Sequence, residues 1–135
     1  MAHNLIISNL KTLHVGDSIL VHGKVMPDAK IFSINLGKDA SNFLIHFNPR
    51  FGEGVIVFNF MKDGKWGHPE QRAPKIPFKP GDDIKVNFTF KSNEVAVHYA
   101  DGHEFDFKSQ LNLSLECIEY ISVDGGFQVH SIHID

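Results

Sequence analysis

Residues 84–99 read IKVNFTFKSNEVAVHY, and this stretch decides the fold. Apolar and polar residues alternate over 84–90 and again over 95–99. A period of two sends successive side chains to opposite faces of a strand, so one face packs in a core while the other meets water. The residues between the two runs, Lys-Ser-Asn at 91–93, suit a tight turn. The stretch therefore predicts two antiparallel strands joined as a hairpin.

The same alternation extends over most of the chain. Turn residues recur at short intervals, and Phe alone accounts for 12 of the 135 residues. About ten short strands with hairpin-scale connections predict an all-β fold of two packed antiparallel sheets. The side chains predicted to face the core include Ile19, Val21, Val25, Phe32, Ile34, Leu36, Phe43, Ile45, Phe47, Ile56, Phe58 and Phe60.

Two local features depart from plain alternation. The apolar phase of the last strand shifts from Phe127 and Val129 to Ile132 and Ile134, which predicts a one-residue bulge. The segment from Ser109 to Leu115 is the one place suited to a short helical turn. No linker, repeat or change in composition interrupts the chain, so we expect one domain over residues 1–135.

Composition and charge exclude several classes of protein. The net charge is −3 with scattered Lys and Arg, so a nucleic-acid partner is not expected. No apolar run approaches the ~18 residues that span a bilayer, and the first residues lack the basic start of a signal peptide. Cys117 is the single cysteine, which rules out an intrachain disulfide and indicates synthesis in the reducing cytosol.

The chain lacks the motifs of common enzymes and metal sites. There is no nucleophile elbow, phosphate-binding loop or dinucleotide fingerprint. His130 and His133 are three apart, so regular alternation would send them to opposite faces of a strand and prevent a shared metal site. Cys117 is a nucleophile only if a base adjoins it, and otherwise a small buried apolar residue. We expect no catalytic residues, metal or cofactor.

A group of polar residues and one Trp begins within the strand that ends near residue 50. Within it, side chains two residues apart share a face of an extended chain. Because consecutive strands usually pair, the whole group can converge on one sheet face. Its members are His46, Asn48, Arg50, Asn59, Trp66, Glu70 and Arg72.

The chemistry of this group suits a sugar. Imidazole, amide, guanidinium and carboxylate groups together match hydroxyls that donate and accept hydrogen bonds. Trp66 can cover the apolar C–H face of a pyranose ring. On patterning alone, a solvated strand face with ordinary cross-strand pairs is the preferred interpretation.

The order of these residues resembles the signature of galectins, the β-galactoside-binding lectins. The motif H-x-N-P-R-F stands at 46–51, V-x-N at 57–59, and W-G with E-x-R at 66–72. Further segments at 23–30, 35–39, 76–81 and 111–127 are also similar, so the resemblance covers nearly the whole chain. It implies a jelly-roll-like sandwich with one carbohydrate site on a concave sheet, no metal, and no catalysis.

The resemblance also implies a role for each site residue. His46, Asn48 and Arg50 would hold the axial hydroxyl of galactose, and Asn59 its primary hydroxyl. Trp66 would stack on the ring. The second sugar would be reached from Arg50, Glu70 and Arg72.

Two departures from the family pattern affect the second sugar. The segment from Trp66 to Glu70 is one residue longer than usual, and a one-residue slip reverses strand facing unless a bulge or turn absorbs it. Pro69 fits such an interruption. The loop at 52–54 is shorter than in most galectins, so its usual contacts with the ligand are expected to be missing.

We therefore predict a lectin for β-galactoside glycans of the lactose or N-acetyllactosamine type. The alternatives are a galectin fold with altered or lost sugar specificity, a protein-interaction module, and an enzyme. A homodimer is expected, with contacts on the terminal strands at 3–8 and 127–134. The family implies cytoplasmic synthesis followed by unconventional secretion, without membrane insertion.

Overall fold

A computed structural model of the chain describes residues 5–8, 13–108 and 118–135. This part contains twelve β-strands and no helix. The strands are β1 (Leu5–Ile7), β2 (Ser18–Val25), β3 (Phe32–Asp39), β4 (Asn42–Arg50), β5 (Val55–Lys62), β6 (Lys65–Trp66), β7 (Gln71–Ala73), β8 (Asp83–Phe90), β9 (Glu94–Ala100), β10 (His103–Lys108), β11 (Tyr120–Gly125) and β12 (Phe127–Ile134).

The strands form two sheets, and every pairing is antiparallel. One sheet has seven strands in the order β1-β11-β3-β4-β5-β6, with β7 also paired to β5. The other has five, in the order β10-β9-β8-β2-β12. The prediction of an all-β sandwich of two antiparallel sheets is confirmed. The predicted helical turn at 109–115 and Cys117 lie outside the described residues. In the described part, no helix is long and apolar enough to cross a membrane.

Aromatic side chains join the two sheets. Phe32 of β3 stacks on Phe127 of β12, with ring centroids 4.8 Å apart. Phe58 of β5 stacks on Phe105 of β10 at 4.1 Å. Replacing a buried Phe by Ala typically destabilises a protein by about 3–5 kcal/mol, so these contacts fix the sheet that carries the polar group. The inward residues predicted for β2 and β3 are buried as expected.

Strand β4 contains a bulge that the sequence did not reveal. Its register against β3 shifts between Ile45 and Phe43, which leaves Leu44 as an extra residue. Leu44 and Ile45 both belong to the core. Phe43, predicted to face the core, instead lies on the opposite face, with its ring 6.1 Å from Trp66 and 6.3 Å from Tyr120. That prediction was wrong because simple alternation takes no account of an inserted residue.

The bulge predicted in the last strand is confirmed. The register of β12 against β2 shifts between Val129 and Ser131, so His130 is the extra residue. The bulge keeps His130 on the face of His22, with ring centroids 5.4 Å apart, and His133 pairs with Leu20 on that same face. The expectation that the two histidines face opposite ways was therefore wrong. No group of three potential metal ligands occurs among the described residues.

Candidate functional site

A row of polar side chains crosses the seven-stranded sheet on the face away from the core. It comprises Ser122, Asn35, His46 and Asn59, which pair in succession across β11, β3, β4 and β5. We call these four residues the polar row. Residues at directly paired positions share a face of the sheet. The row therefore assembles on one surface side chains that are far apart in sequence.

A cavity of about 300 Å³ opens beside the polar row. It contains five of the seven residues predicted for the site. The other two contact its lining: Asn48 bonds to Arg50, and Arg72 to Glu70. The cavity is lined by His46, Arg50, Val57, Asn59, Trp66, Gly67, His68 and Glu70.

His46 is held by strand β3 and is neutral over most of the accessible pH range. Its Nδ1 lies 2.5 Å from Oδ1 of Asn35. Burial lowers the pKa of His46 to about 4; the hydrogen bond with Asn48 and the charge of Glu70 act in the opposite direction, and the charge of Arg50 reinforces burial. A neutral imidazole carries one donor and one acceptor, so His46 can accept a hydrogen bond from a ligand.

Asn48 uses its side chain to fix Arg50. The Asn48 amide is 4% exposed, and its Nδ2 donates to the carbonyl of Phe32 at 2.9 Å. Its Oδ1 accepts a hydrogen bond from Arg50 Nε, also at 2.9 Å. The guanidinium is thereby oriented toward the cavity, and its remaining N–H groups form a fork suited to oxygen acceptors.

A carboxylate from the shortened loop joins the two arginines. Glu53 lies 3.4 Å from Arg50 and 3.7 Å from Arg72. Arg72 Nε donates to Glu70 at 2.6 Å. The short loop thus contributes Glu53 to a chain of alternating charges within the protein. The available signal for Glu53 was its spacing, three residues after Arg50 across a turn. The expected lack of contacts between this loop and a ligand stays a prediction.

The cavity side of β5 is anchored to the turn after Trp66. Asn59 Nδ2 donates to the carbonyl of Gly67 at 3.2 Å, and Asn59 Oδ1 accepts from the backbone N–H of Phe60 at 2.8 Å. The amide nitrogen carries a second N–H for a ligand. Sequence reasoning did not identify Gly67 as part of the site.

Trp66 presents an aromatic surface beside the polar row. Its side chain is 43% exposed, and its ring lies 4.5 Å from that of His46 between centroids. An exposed large aromatic residue next to fixed polar groups can cover an apolar ring face while those groups bind hydroxyls. The arrangement suits a ligand with one apolar face and several hydroxyls.

The extra residue after Trp66 does not reverse the facing of β7. Trp66 pairs with Met61, and Gln71 pairs with Phe58. Five steps along the segment from β6 to β7 therefore correspond to three steps along β5. A register shift of two preserves side-chain facing, since the strand period is two. Arg72 therefore pairs with Val57, which lines the cavity. The connection at 67–70 between β6 and β7 absorbs the insertion, and Glu70 lines the cavity.

The amino-acid sequence is similar to those of a known protein family. The family model for galactoside-binding lectins matches residues 5–134. Mouse galectin-1 is 43% identical over 136 residues, which cover 98% of each chain.

Solved structures share the fold over nearly the same length. A homodimeric agglutinin from chicken liver superposes with a TM-score of 0.87 at 38% identity, covering 97% of this chain and 98% of that one. A toad ovary galectin in complex with N-acetylgalactose gives 0.88 at 35% identity, covering 97% of both chains.

Proposed function

This chain belongs to the galactoside-binding lectin family, and we propose that it binds β-galactoside glycans of the lactose type in the cavity beside the polar row. Family membership confirms the prediction of a lectin rather than an enzyme. The observation that carries the proposal is the convergence of His46, Arg50, Asn59 and Trp66 on one cavity. A toad relative whose structure contains N-acetylgalactose shares the fold and supports this proposal.

Each cavity residue has a role that its contacts support. The acceptor of neutral His46 and the fork of Arg50 would bind the axial hydroxyl of galactose from two sides. Asn48 would orient Arg50 through its amide oxygen, and the second N–H of its Nδ2 would donate to the same axial hydroxyl. Asn59 would bind the primary hydroxyl, and Trp66 would cover the C–H face of the ring.

The second sugar would lie toward the charged chain. Glu70 lines the cavity, and Arg72 bonds to it at 2.6 Å. Arg50 and Arg72 are joined through Glu53. These groups would accept and donate hydrogen bonds to the reducing-side sugar. Exposed ion pairs contribute little by themselves, so we expect their effect on ligand affinity to exceed their effect on stability.

A homodimer would give the protein two sites for cross-linking glycans. Strands β1 and β12 are edge strands of their sheets. Ile6 of β1 is 52% exposed, and unpaired edges favour association. Residues 3 and 4 of the predicted contact lie outside the described residues. The homodimeric state of the chicken liver agglutinin supports this part of the proposal.

The cellular route and the extent of the unit are also proposals. We infer synthesis in the cytoplasm and unconventional secretion. Secretion that persists when transport through the Golgi is blocked would support this route.

We also infer that residues 1–135 fold as one carbohydrate-recognition domain, supported by a shared core between the two sheets. A single cooperative unfolding transition of the full chain would test the second inference.

The direct test of sugar binding is affinity chromatography followed by calorimetry. The protein should be retained on immobilised lactose and eluted by free lactose, with one lactose bound per chain. Free mannose should not elute it. Failure to bind lactose while binding another glycan on an array would indicate altered specificity. Failure to bind any glycan would support a protein-interaction role instead.

A further inference from the structure

Asn35 lies next to His46 in the polar row but outside the lining of the cavity. We propose that Asn35 is a positioning residue, which keeps a proton on Nδ1 of His46 and so leaves Nε2 to accept a hydrogen bond from a sugar hydroxyl. This inference rests on the proposed function, because it gives the protonation state in which the site would meet its ligand. Asn35 itself is expected to make no contact with the sugar.

The neighbours of Asn35 fix which end of its amide faces His46. Nδ2 lies 3.1 Å from Oγ of Ser122 and 3.4 Å from Oδ2 of Asp124. It also lies 3.5 Å from Oγ of Ser33. An ionised carboxylate can only accept hydrogen bonds, so the NH₂ group must face Asp124. A flipped amide would set its oxygen against that carboxylate. Asn35 is 2% exposed, so water cannot readily replace these partners.

This orientation directs the amide oxygen of Asn35 at the imidazole. Oδ1 lies 2.5 Å from Nδ1 of His46. An amide oxygen only accepts, so Nδ1 must carry the proton. A neutral imidazole has one ring proton, so Nε2 then holds a lone pair that can accept a hydrogen bond. Asn48 also lies within hydrogen-bonding reach of the ring. The hydrogen bond made on one side of the ring thus determines what the other side offers to the ligand.

Burial, set against the charged groups around His46, decides whether the ring stays neutral. Arg50 faces it from β4, and Glu70 faces it from the connection between β6 and β7. His68 lines the same cavity, and Asp124 of β11 lies behind Asn35. Burial outweighs the charge of Glu70 and lowers the pKa of His46 to about 4. The ring therefore keeps its acceptor from pH 8 down to about pH 5.

Fixing one tautomer removes a competing state of the site. An imidazole free to exchange would present an N–H to the ligand for part of the time, and the ligand would have to select the acceptor form. Losing one hydrogen bond between neutral groups lowers affinity about three- to tenfold. We expect that decrease when Asn35 is replaced, although Asn35 is outside the cavity.

The first test observes the proton in the sugar-free protein. Long-range ¹H–¹⁵N spectra distinguish the two tautomers, and the His46→Ala spectrum identifies the signals of His46 among the nine histidines. At pH 7.5 the wild-type ring should be protonated on Nδ1 and bare on Nε2. A proton on Nε2 would overturn the inference, whether or not lactose binds. Because no ligand is present, this result is independent of the proposed function.

The second test changes Asn35 while measuring lactose affinity. Asn35→Ala should give a mixture of tautomers and a three- to tenfold weaker affinity. Asn35→Asp places a carboxylate against the ring and raises the pKa of His46, so lactose affinity should fall at least threefold between pH 8 and pH 6. The wild type should change less than twofold over that interval.

A matched substitution on the other sheet controls for general effects. Asn87 of β8 donates to Thr89 Oγ1 at 3.3 Å, far along the sequence from the site and in the five-stranded sheet. Asn87→Asp should leave the pH profile of lactose binding unchanged. If the profile of Asn35→Asp coincided with that of Asn87→Asp, the positioning role would be wrong. If Asn35 variants did not fold, the wild-type spectrum alone would decide.

Discussion

Trp66 combines exposure with a fixed position, which is unusual for so large an apolar residue. Its ring centroid lies 4.5 Å from that of His46 and 6.1 Å from that of Phe43. The bulge in β4 is what brings Phe43 to this face. The aromatic wall of the cavity therefore depends on a backbone irregularity in a strand that also supplies the polar groups.

Replacing Trp66 by Ala should reduce lactose affinity at least tenfold with little effect on folding. Covering a large apolar surface contributes about 1.5–3 kcal/mol, and 1.4 kcal/mol corresponds to a factor of ten. Because the side chain is 43% exposed, the free energy of unfolding should change by less than about 1 kcal/mol. Calorimetric titration and denaturant unfolding measure the two effects. Val15→Ala, which removes another exposed apolar side chain, is the control.

Arg50 should not tolerate replacement by Lys. The guanidinium donates to Asn48 and contacts Glu53 while facing the cavity. A lysine ammonium keeps the charge but loses the planar fork. We expect lactose affinity to fall about tenfold to a hundredfold in Arg50→Lys and less than threefold in Arg72→Lys. Equal effects in a titration of both variants would mean that Arg50 has no special contact with the sugar.

Residue spacing predicted which side chains reach the site, but not how they are fixed. The two-residue intervals placed His46, Asn48 and Arg50 on one face correctly. The contacts of Glu53 with Arg72 and of Asn35 with His46 depend on loop closure and cross-strand register. Neither is encoded in local spacing, so a single sequence without paired strands could not reveal them.

At the scale of elements, the connection from β6 to β7 controls the rim of the site. Gly67 accepts a hydrogen bond from Asn59 through its carbonyl, and its backbone N–H donates to the carbonyl of Phe60 at 3.0 Å. A Cβ at Gly67 would overlap the ring of Phe60. The connection that follows Trp66 can therefore lie this close to β5 only with glycine at position 67.

Gly67→Ala should disturb both the fold and the site. Overpacking of this kind typically costs about 1–3 kcal/mol, and the shift of the turn should lower lactose affinity about tenfold. Gly52→Ala is the control, because a Cβ there meets nothing within 4 Å. Thermal unfolding and lactose titration of both variants test this. Unchanged affinity in Gly67→Ala would show that Trp66 is positioned by other contacts.

The two bulges show when a sequence reveals an irregular strand. In β12 the apolar phase reverses around His130, so the inserted residue is visible in the pattern. In β4 the residues at 43–45 are all apolar, so an insertion among them leaves no trace in the alternation. The fold class followed from many strands together, whereas this local facing depended on one residue.

At the scale of the whole molecule, both terminal strands lie at sheet edges. Strand β1 forms one edge of the seven-stranded sheet, and β12 forms one edge of the five-stranded sheet. Because each chain has one proposed sugar site, cross-linking requires association of chains. A two-fold dimer would use the same edges on both chains.

Ile6→Glu should shift the protein toward monomers. Placing a carboxylate on this exposed edge position opposes contact with a second copy, while lactose affinity per chain should stay unchanged. Sedimentation at micromolar concentration and cell agglutination measure the effect. Val15→Glu makes the same change at an exposed position outside strands β1 and β12 and should leave the dimer intact. A wild-type protein that sediments only as a monomer would contradict the proposed assembly.

The fluorescence of Trp66 in the presence of two disaccharides tests most directly whether the cavity selects the axial hydroxyl of galactose. Lactose and cellobiose differ only in the orientation of one hydroxyl, at position 4 of the non-reducing sugar. His46 and Arg50 are proposed to bind that hydroxyl while Trp66 covers the ring. The chain contains no other Trp, so the fluorescence signal comes from Trp66 alone. We predict a saturable fluorescence change with lactose at one site per chain, and none with cellobiose at the same concentrations. Equal responses to both sugars, or no response to lactose, would contradict selective binding of β-galactosides in this cavity.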